Sequence, residues 1–221
     1  MGTRIVEPIT VIGLGCAGIR VLRELDELGS DRIGSNITLI DSDIVKGENI
    51  RSQLYTQWHV GEKMHKVHAA KSMMSQWSGL MMRALPEHVR SGDKVRGVVF
   101  LCVDSMDARK EIMHGCLFGN SDVPLVVDIR LESEAAHLYV IDPSNDLHQE
   151  QWNLYWYPDD MATTAGSCGA ATSFGPIANA AANCAVWQLI RYREACAGSR
   201  EPLDQHIRLK QRPLSIETYR W

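Results

Sequence analysis

Short, wholly apolar runs alternate with stretches of helical period along the first half of the chain, and each run closes on a glycine or a carboxylate. Ile9-Thr-Val-Ile-Gly13 predicts a buried strand over about 8–13, and the apolar periodicity of 16–28 predicts a helix that stops at Gly29. A second strand follows over Asn36–Asp41. The segment Ser42–Val60 is polar and lacks clean periodicity, which reads as a long loop with a short helical turn. Gly61–Ser78 carries Val67, Ala70, Met74 and Trp77 on one helical face, and Arg96–Asp104 is a continuous apolar strand of the kind buried on both sides of a parallel sheet. A third helix over about 106–118 leads to a strand at Val123–Asp128.

The pattern changes beyond Glu134. Residues 135–142 and Gln151–Tyr157 are aromatic-rich and partly alternating with no helix between them, which predicts antiparallel strands. Pro158–Ser167 reads as a polar loop, Ser173–Tyr192 as a long alanine-rich helix, and 206–218 as two short closing strands. The expected fold is α/β: a Rossmann-like, mostly parallel sheet with helices on both faces, extended by antiparallel strands and a long C-terminal helix. One domain over 1–221 is expected, with a nucleotide-binding half (1–130) and an antiparallel half (131–221).

Within this frame the turn after the first strand carries Gly13, Gly15 and Gly18. Glycine at the first position permits the turn, at the second lets backbone approach a phosphate, and at the third lets helix and strand pack closely. The helix N-terminus beyond it favours an anion. Asp41, closing the second strand, is placed to bind ribose hydroxyls, a role shared by NAD and ATP sites. Asp104 closes the Arg96–Asp104 strand at the same end of the sheet, where ligands of open α/β folds bind.

Composition narrows the classes. Hydrophobic residues are 45% and charged residues 23%, as in ordinary globular proteins. A net charge of −4 and the lack of a basic run argue against binding to a nucleic-acid backbone. Cys16, Cys102, Cys116, Cys168, Cys184 and Cys196 form no CxxC pair, which supports neither a zinc site nor a dithiol redox pair and suits a reducing compartment. No signal-like or membrane-spanning run is present, so cytoplasm without membrane attachment is expected.

At Asp41-Ser-Asp-Ile-Val-Lys-Gly-Glu-Asn49-Ile-Arg51-Ser52-Gln53 the chain resembles the ThiF/MoeB/HesA family, the adenylating fold shared with ubiquitin-activating enzymes. The resemblance continues through Gly61–Lys71, through Asp104-Ser-Met-Asp-Ala-Arg109, and through Cys168 to Gly175-Pro176 before the last long helix. It implies an ATP- and Mg²⁺-dependent adenylyltransferase. Its substrate would be the C-terminal glycine carboxylate of a ubiquitin-like protein, a sulfur-carrier protein or a peptide, and its assembly a homodimer.

By this resemblance Gly13, Gly15, Gly18, Asp41, Asn49 and Gln53 bind the nucleotide. Arg51 and Lys66 oppose phosphate charge, Asp104 holds the metal, and Cys168 corresponds to a cysteine that some relatives use for thioester or persulfide chemistry. Ungapped spacing from Asp41 puts Ser52 where the family has arginine, and Lys63 competes with Lys66 for the lysine position. Cys16 stands where glycine is usual and Ser105 where asparagine is usual. An NAD-dependent oxidoreductase and a non-catalytic scaffold subunit are the competing readings.

Overall fold

The computed structural model describes residues 7–34, 36–74, 78–161 and 174–221. Its centre is an eight-stranded sheet in the order β3-β2-β1-β4-β5-β6-β7-β8. The strands are β1 (Ile9–Ile12), β2 (Asn36–Ile40), β3 (Met81–Leu85), β4 (Val98–Leu101), β5 (Val126–Leu131), β6 (Ala135–Ile141), β7 (His206–Gln211) and β8 (Leu214–Tyr219). Pairings from β3 through β5 are parallel, and those from β5 through β8 are antiparallel.

Alternation along the strands divides the core into two layers. Val11, Val98, Phe100, Val127 and Ile129 pack on one face with α1 (Cys16–Leu28), α5 (Lys66–Met73) and α8 (Phe174–Cys196). Ile12, Val99, Leu101, Val126 and Ile141 pack on the other with α6 (Met106–Ile112), the π-helical turn Met113–Leu117, and Trp152. Every residue of β4 is therefore buried, because each face of the strand meets a helical layer. Ala178, Ala181, Ala182 and Ala185 of α8 are fully buried. Their small side chains allow this long helix to lie close to α1 and the sheet. Among the described residues no helix is long and apolar enough to cross a membrane.

Four sequence expectations are corrected. Gln151–Tyr157 is not a strand: it falls mostly in α7 (Asp146–Leu154). Asn145 caps this helix by accepting hydrogen bonds from the Leu147 and His148 N–H groups at 3.0 and 3.4 Å, while Trp152 anchors it in the core. The helix expected over Gly61–Ser78 begins only at Lys66, as α5, and Lys63 in the left-handed region at φ 49° separates it from α4 (Gln57–Gly61), a short helical turn of the kind expected within Ser42–Val60. Two four-residue helices, α2 (Ser30–Ile33) and α3 (Asn49–Ser52), and a 3₁₀ turn at Asp159–Met161 are also present among the described residues. β3 was not anticipated, since it is a half-exposed edge strand without a clean apolar run. Finally, β5 does not end at Asp128 but continues to Leu131.

This last difference shapes the ligand end of the sheet. Leu101, the last residue of β4, is paired with Asp128. Residues 129–131 therefore overhang β4 and are held only from the other side, by Leu138, His137 and Ala136 of β6.

Candidate functional site

A cavity of about 800 Å³ opens at the carboxyl ends of β1, β2, β4 and β5, where the strand order reverses between β1 and β4. That reversal creates the crevice in which open α/β sheets hold their ligands. The glycines of the β1–α1 turn divide their duties. A Cβ at Gly13 (φ 85°) would meet Cys102 backbone atoms at 2.8 Å, and one at Gly18 would lie 1.9 Å from the Gly13 carbonyl oxygen. Both positions therefore require glycine for the turn itself. A Cβ at Gly15 would meet no protein atom within 4 Å and would enter the cavity. Gly15 also starts α1, which has no side-chain cap. Space and a helix N-terminus thus coincide at the second glycine, the combination that suits a phosphate.

Asp41 braces this turn. One carboxylate oxygen accepts the Leu14 N–H at 2.6 Å and the other the Asp43 N–H at 2.8 Å. Burial raises its pKa, while Lys66 and the two backbone donors pull the other way. Lys66, the first residue of α5, is buried and donates from Nζ to Asp43 Oδ2 at 2.7 Å. Burial opposes ionisation of Asp43, but the bond and charge of Lys66 prevail and hold its carboxyl below the usual range. Asp41, Asp43 and Lys66 all line the cavity, whereas Lys63 is exposed outside it.

Gln53 lines the same space, with its Oε1 buried and without a hydrogen-bond partner among the described residues. Ser52 is buried, and Arg51 points to solvent outside the cavity lining. Asn49 is buried but turned to its own loop, where its Oδ1 accepts the Lys46 N–H at 2.8 Å. Gly18 packs beneath the turn rather than lining the space. Cys168 lies outside the described residues.

Asp104 is exposed just past β4 and lines the cavity beside Asp159. Asp159 accepts hydrogen bonds from the Ser105 hydroxyl at 2.7 Å and the Met106 N–H at 2.6 Å. Some burial acts against it, but these bonds lower its pKa. Ser105 in turn caps α6 by accepting the Ala108 N–H at 3.0 Å. The segment carrying Asp104 is thus fixed at the start of a helix. Asp104 and Asp159 offer hard oxygen donors, and among the described residues no group of three or more His, Cys, Asp or Glu side chains is arranged to hold a metal. Such a donor set fits Mg²⁺, which commonly takes one or two protein carboxylates and completes its shell from phosphate and water.

Sequence reasoning did not assemble two arginine clusters that brace the site, although it singled out Arg109. Arg20 of α1 donates to the Ser52 carbonyl at 2.8 Å, the Cys16 carbonyl at 2.9 Å and Asn179 Oδ1 of α8 at 2.7 Å. It ties the loop approaching Gln53 to two helices. The second cluster surrounds fully buried Asp128. Arg109 pairs with Asp128 Oδ1 and also donates to the Val103 carbonyl, next to Asp104. Arg130 Nε and Trp152 Nε1 donate to Asp128 Oδ2 at 3.0 and 2.8 Å. Burial pushes the Asp128 pKa up, but the two guanidinium groups overcome this and keep it ionised. Local signals for this cluster were Arg109 at the end of the Asp104–Arg109 motif and the Asp128-Ile-Arg130 spacing, which puts both charges on one strand face.

The sequence pattern of the ThiF family matches residues 7–216. No curated protein matches the chain significantly. Similar solved structures include E. coli MccB with ATP, at TM-score 0.65 and 14% identity over 96% of this chain and 63% of that one. PaaA is similar at TM-score 0.64 and 16% identity, over 96% of this chain and 62% of that one. The microcin C7 biosynthetic enzyme MccB in complex with N-formylated MccA is similar at TM-score 0.63 and 16% identity, over 96% and 64%. The chain thus spans less than two thirds of these proteins, and the likeness is one of fold.

Proposed function

The chain belongs to the ThiF family, and from that premise we propose that it is an ATP-dependent adenylyltransferase activating the C-terminal carboxylate of a carrier protein or peptide. One observation carries the reading: the open space at Gly15, the buried Lys66 ammonium and the Asp104 carboxylate all border one cavity. The matches to MccB solved with ATP and with N-formylated MccA support it.

In this reading a carboxylate oxygen of the substrate attacks the α-phosphorus of ATP. The bond from that phosphorus to the oxygen bridging to the β-phosphate breaks, giving an acyl-adenylate and pyrophosphate. The carboxylate, with a pKa of about 3.5, is already ionised at neutral pH, so the site needs no general base. Its tasks are to align two anions and to neutralise charge as pyrophosphate leaves.

Gly13 and Gly18 shape the turn, Gly15 admits phosphate, and Asp41 accepts the ribose hydroxyls while bracing that turn. Lys66 opposes phosphate charge from a buried position where little water screens it. Gln53 supplies an acceptor awaiting a donor. Asn49 holds the loop, and Arg51 reaches the phosphates only if its exposed side chain swings inward. Asp104 is the metal-holding residue. Bound Mg²⁺ would supply charge neutralisation to the triphosphate and leaving pyrophosphate. The antiparallel half presents the carrier, and Cys168 is assigned to any transfer that follows adenylation.

The test is to mix the protein with Mg²⁺-ATP and candidate peptides or carriers, then weigh the products. A substrate heavier by one adenylyl group, together with released pyrophosphate, supports adenylation. Binding of NAD(H) without binding of ATP would identify the dehydrogenase alternative instead.

A further inference from the structure

A second cleft, of about 360 Å³, lies beside the first cavity on the overhanging end of β5. Arg130, Leu131, Glu132 and Tyr157 line both spaces, so the two are continuous. The rest of its wall is mostly aromatic. It includes Tyr139 of β6 and Tyr155, the latter 40% exposed like Tyr157.

Arg130 stands at the junction. Its guanidinium lies over the Tyr139 ring at 4.3 Å, its Nε binds Asp128, and its Nη1 donates to the Tyr155 carbonyl at 2.6 Å. Its Nη2 is buried 2.9 Å from Asp128 Oδ2 in an ion pair that lacks the alignment of a hydrogen bond. Arg109 and Arg130 also share the single buried carboxylate of Asp128, which leaves one positive charge in excess within the cluster. The other carboxylates lining the two spaces near it, Asp104, Glu132 and Asp159, are exposed. A largely buried cluster with one positive charge in excess, bordering both spaces where two anions must meet, draws an anion towards Arg130.

We propose that this cleft is the acyl-substrate site, in which Arg130 receives the C-terminal carboxylate and the aromatic wall takes a planar side chain on the substrate's last residue. The proposal rests on the adenylation reading and refines it. A cleft of this volume holds one large side chain with its backbone, and flat rings gain most from offset stacking against the exposed rings of Tyr155 and Tyr157. A terminal glycine, which the family resemblance implied, would leave that wall uncovered. The strand overhang explains the placement: because β4 stops at the partner of Asp128, Arg130 projects beyond it between the nucleotide space and the cleft.

The probes are acetyl-Gly-Gly-Tyr, its C-terminal amide and acetyl-Gly-Gly-Gly. They are titrated calorimetrically into the full chain in the presence of Mg²⁺ and a non-hydrolysable ATP analogue. The tyrosine acid should bind about tenfold or more tightly than either its amide or the glycine peptide, as expected when a charge-assisted pair and a stacked ring are each lost. Arg130→Gln should erase the acid-over-amide preference. Tyr157→Ala, a change at an exposed rim position, should reduce the tyrosine-over-glycine preference and leave the acid-over-amide ratio in place, which keeps the idea testable if the Arg130 variant does not fold.

Equal binding of acid and amide, glycine binding as tightly as tyrosine, or no binding of any probe would overturn the proposal. So would both preferences surviving in Arg130→Gln and Tyr157→Ala. The two levels separate cleanly. Tight, acid-selective tyrosine binding without adenylate formation would remove the enzymatic reading alone, whereas adenylation of the glycine peptide as readily as the tyrosine peptide would remove this inference alone.

Discussion

The two sides of the β5 strand are built on different rules. On the parallel side, β1, β2 and β4 end level with one another, and the cavity there is formed by backbone turns: glycine space, a helix start and carboxylates just past the strand ends. On the antiparallel side the cleft is formed by side chains, mainly rings and one guanidinium. A backbone-built site suits a ligand shared across many proteins. A side-chain-built site can change residue by residue without altering the fold, which is what selection among substrates requires.

The sharpest way to break the comparison is within the glycine turn. Gly18→Ala forces a Cβ to within 1.9 Å of the Gly13 carbonyl oxygen, so it should destabilise the protein by about 3 kcal/mol or more, or prevent folding. Thermal or urea unfolding measures the loss. Gly15→Val should do the opposite: unfolding should stay near wild type while ATP binding is lost, because the new side chain occupies ligand space rather than protein space. Unchanged ATP affinity would show that no phosphate lies there.

Next in size is the lysine position. Lys66→Ala should lower adenylation turnover by about a hundredfold and weaken ATP binding less, since it removes a buried charge that opposes charge growing in the transition state. Arg51→Ala should cost much less, because its side chain lies outside the cavity lining. A larger loss in Arg51→Ala or Lys63→Ala would reassign the phosphate cations.

The last contrast belongs to the antiparallel side and is read by pH. His137 and His206 lie with ring nitrogens 3.0 Å apart, and burial together with Arg130 and Arg208 depresses both pKa values to about 4. Between that value and the unfolded value of about 6.5 the unfolded chain binds more protons. Stability should therefore fall as pH is lowered through this window, by up to about 1.4 kcal/mol per pH unit for each imidazole. His206→Phe should flatten the slope; an unchanged slope would show that another group titrates.

Sequence patterning read the parallel side well because its signals are local. A buried strand is a short apolar run, and the glycine spacing marks the turn that follows. The antiparallel side resisted for the same reason. Trp152 looked like one of several strand aromatics, yet its helix is set by the Asn145 cap and by contact with a distant layer. The end of β5 depends on pairing with β6 after β4 has stopped, and Arg109 meets Asp128 only through sheet register and packing of α6. The family resemblance supplied the candidate nucleotide residues, but the choice of Lys66 over Lys63 as a cavity-lining residue came from the break between α4 and α5.

The central claim is that charge at the end of β4 supports transfer of an adenylyl group. It is tested most directly by Mg²⁺-dependent exchange of labelled pyrophosphate into ATP, comparing wild type with Asp104→Asn in the presence of an accepted substrate. The substitution keeps the shape of an exposed side chain and removes its charge. Exchange should fall by about a hundredfold or more, as several kcal/mol of charge stabilisation are lost, while unfolding stays unchanged. Near wild-type exchange by Asp104→Asn across a magnesium titration would contradict the account.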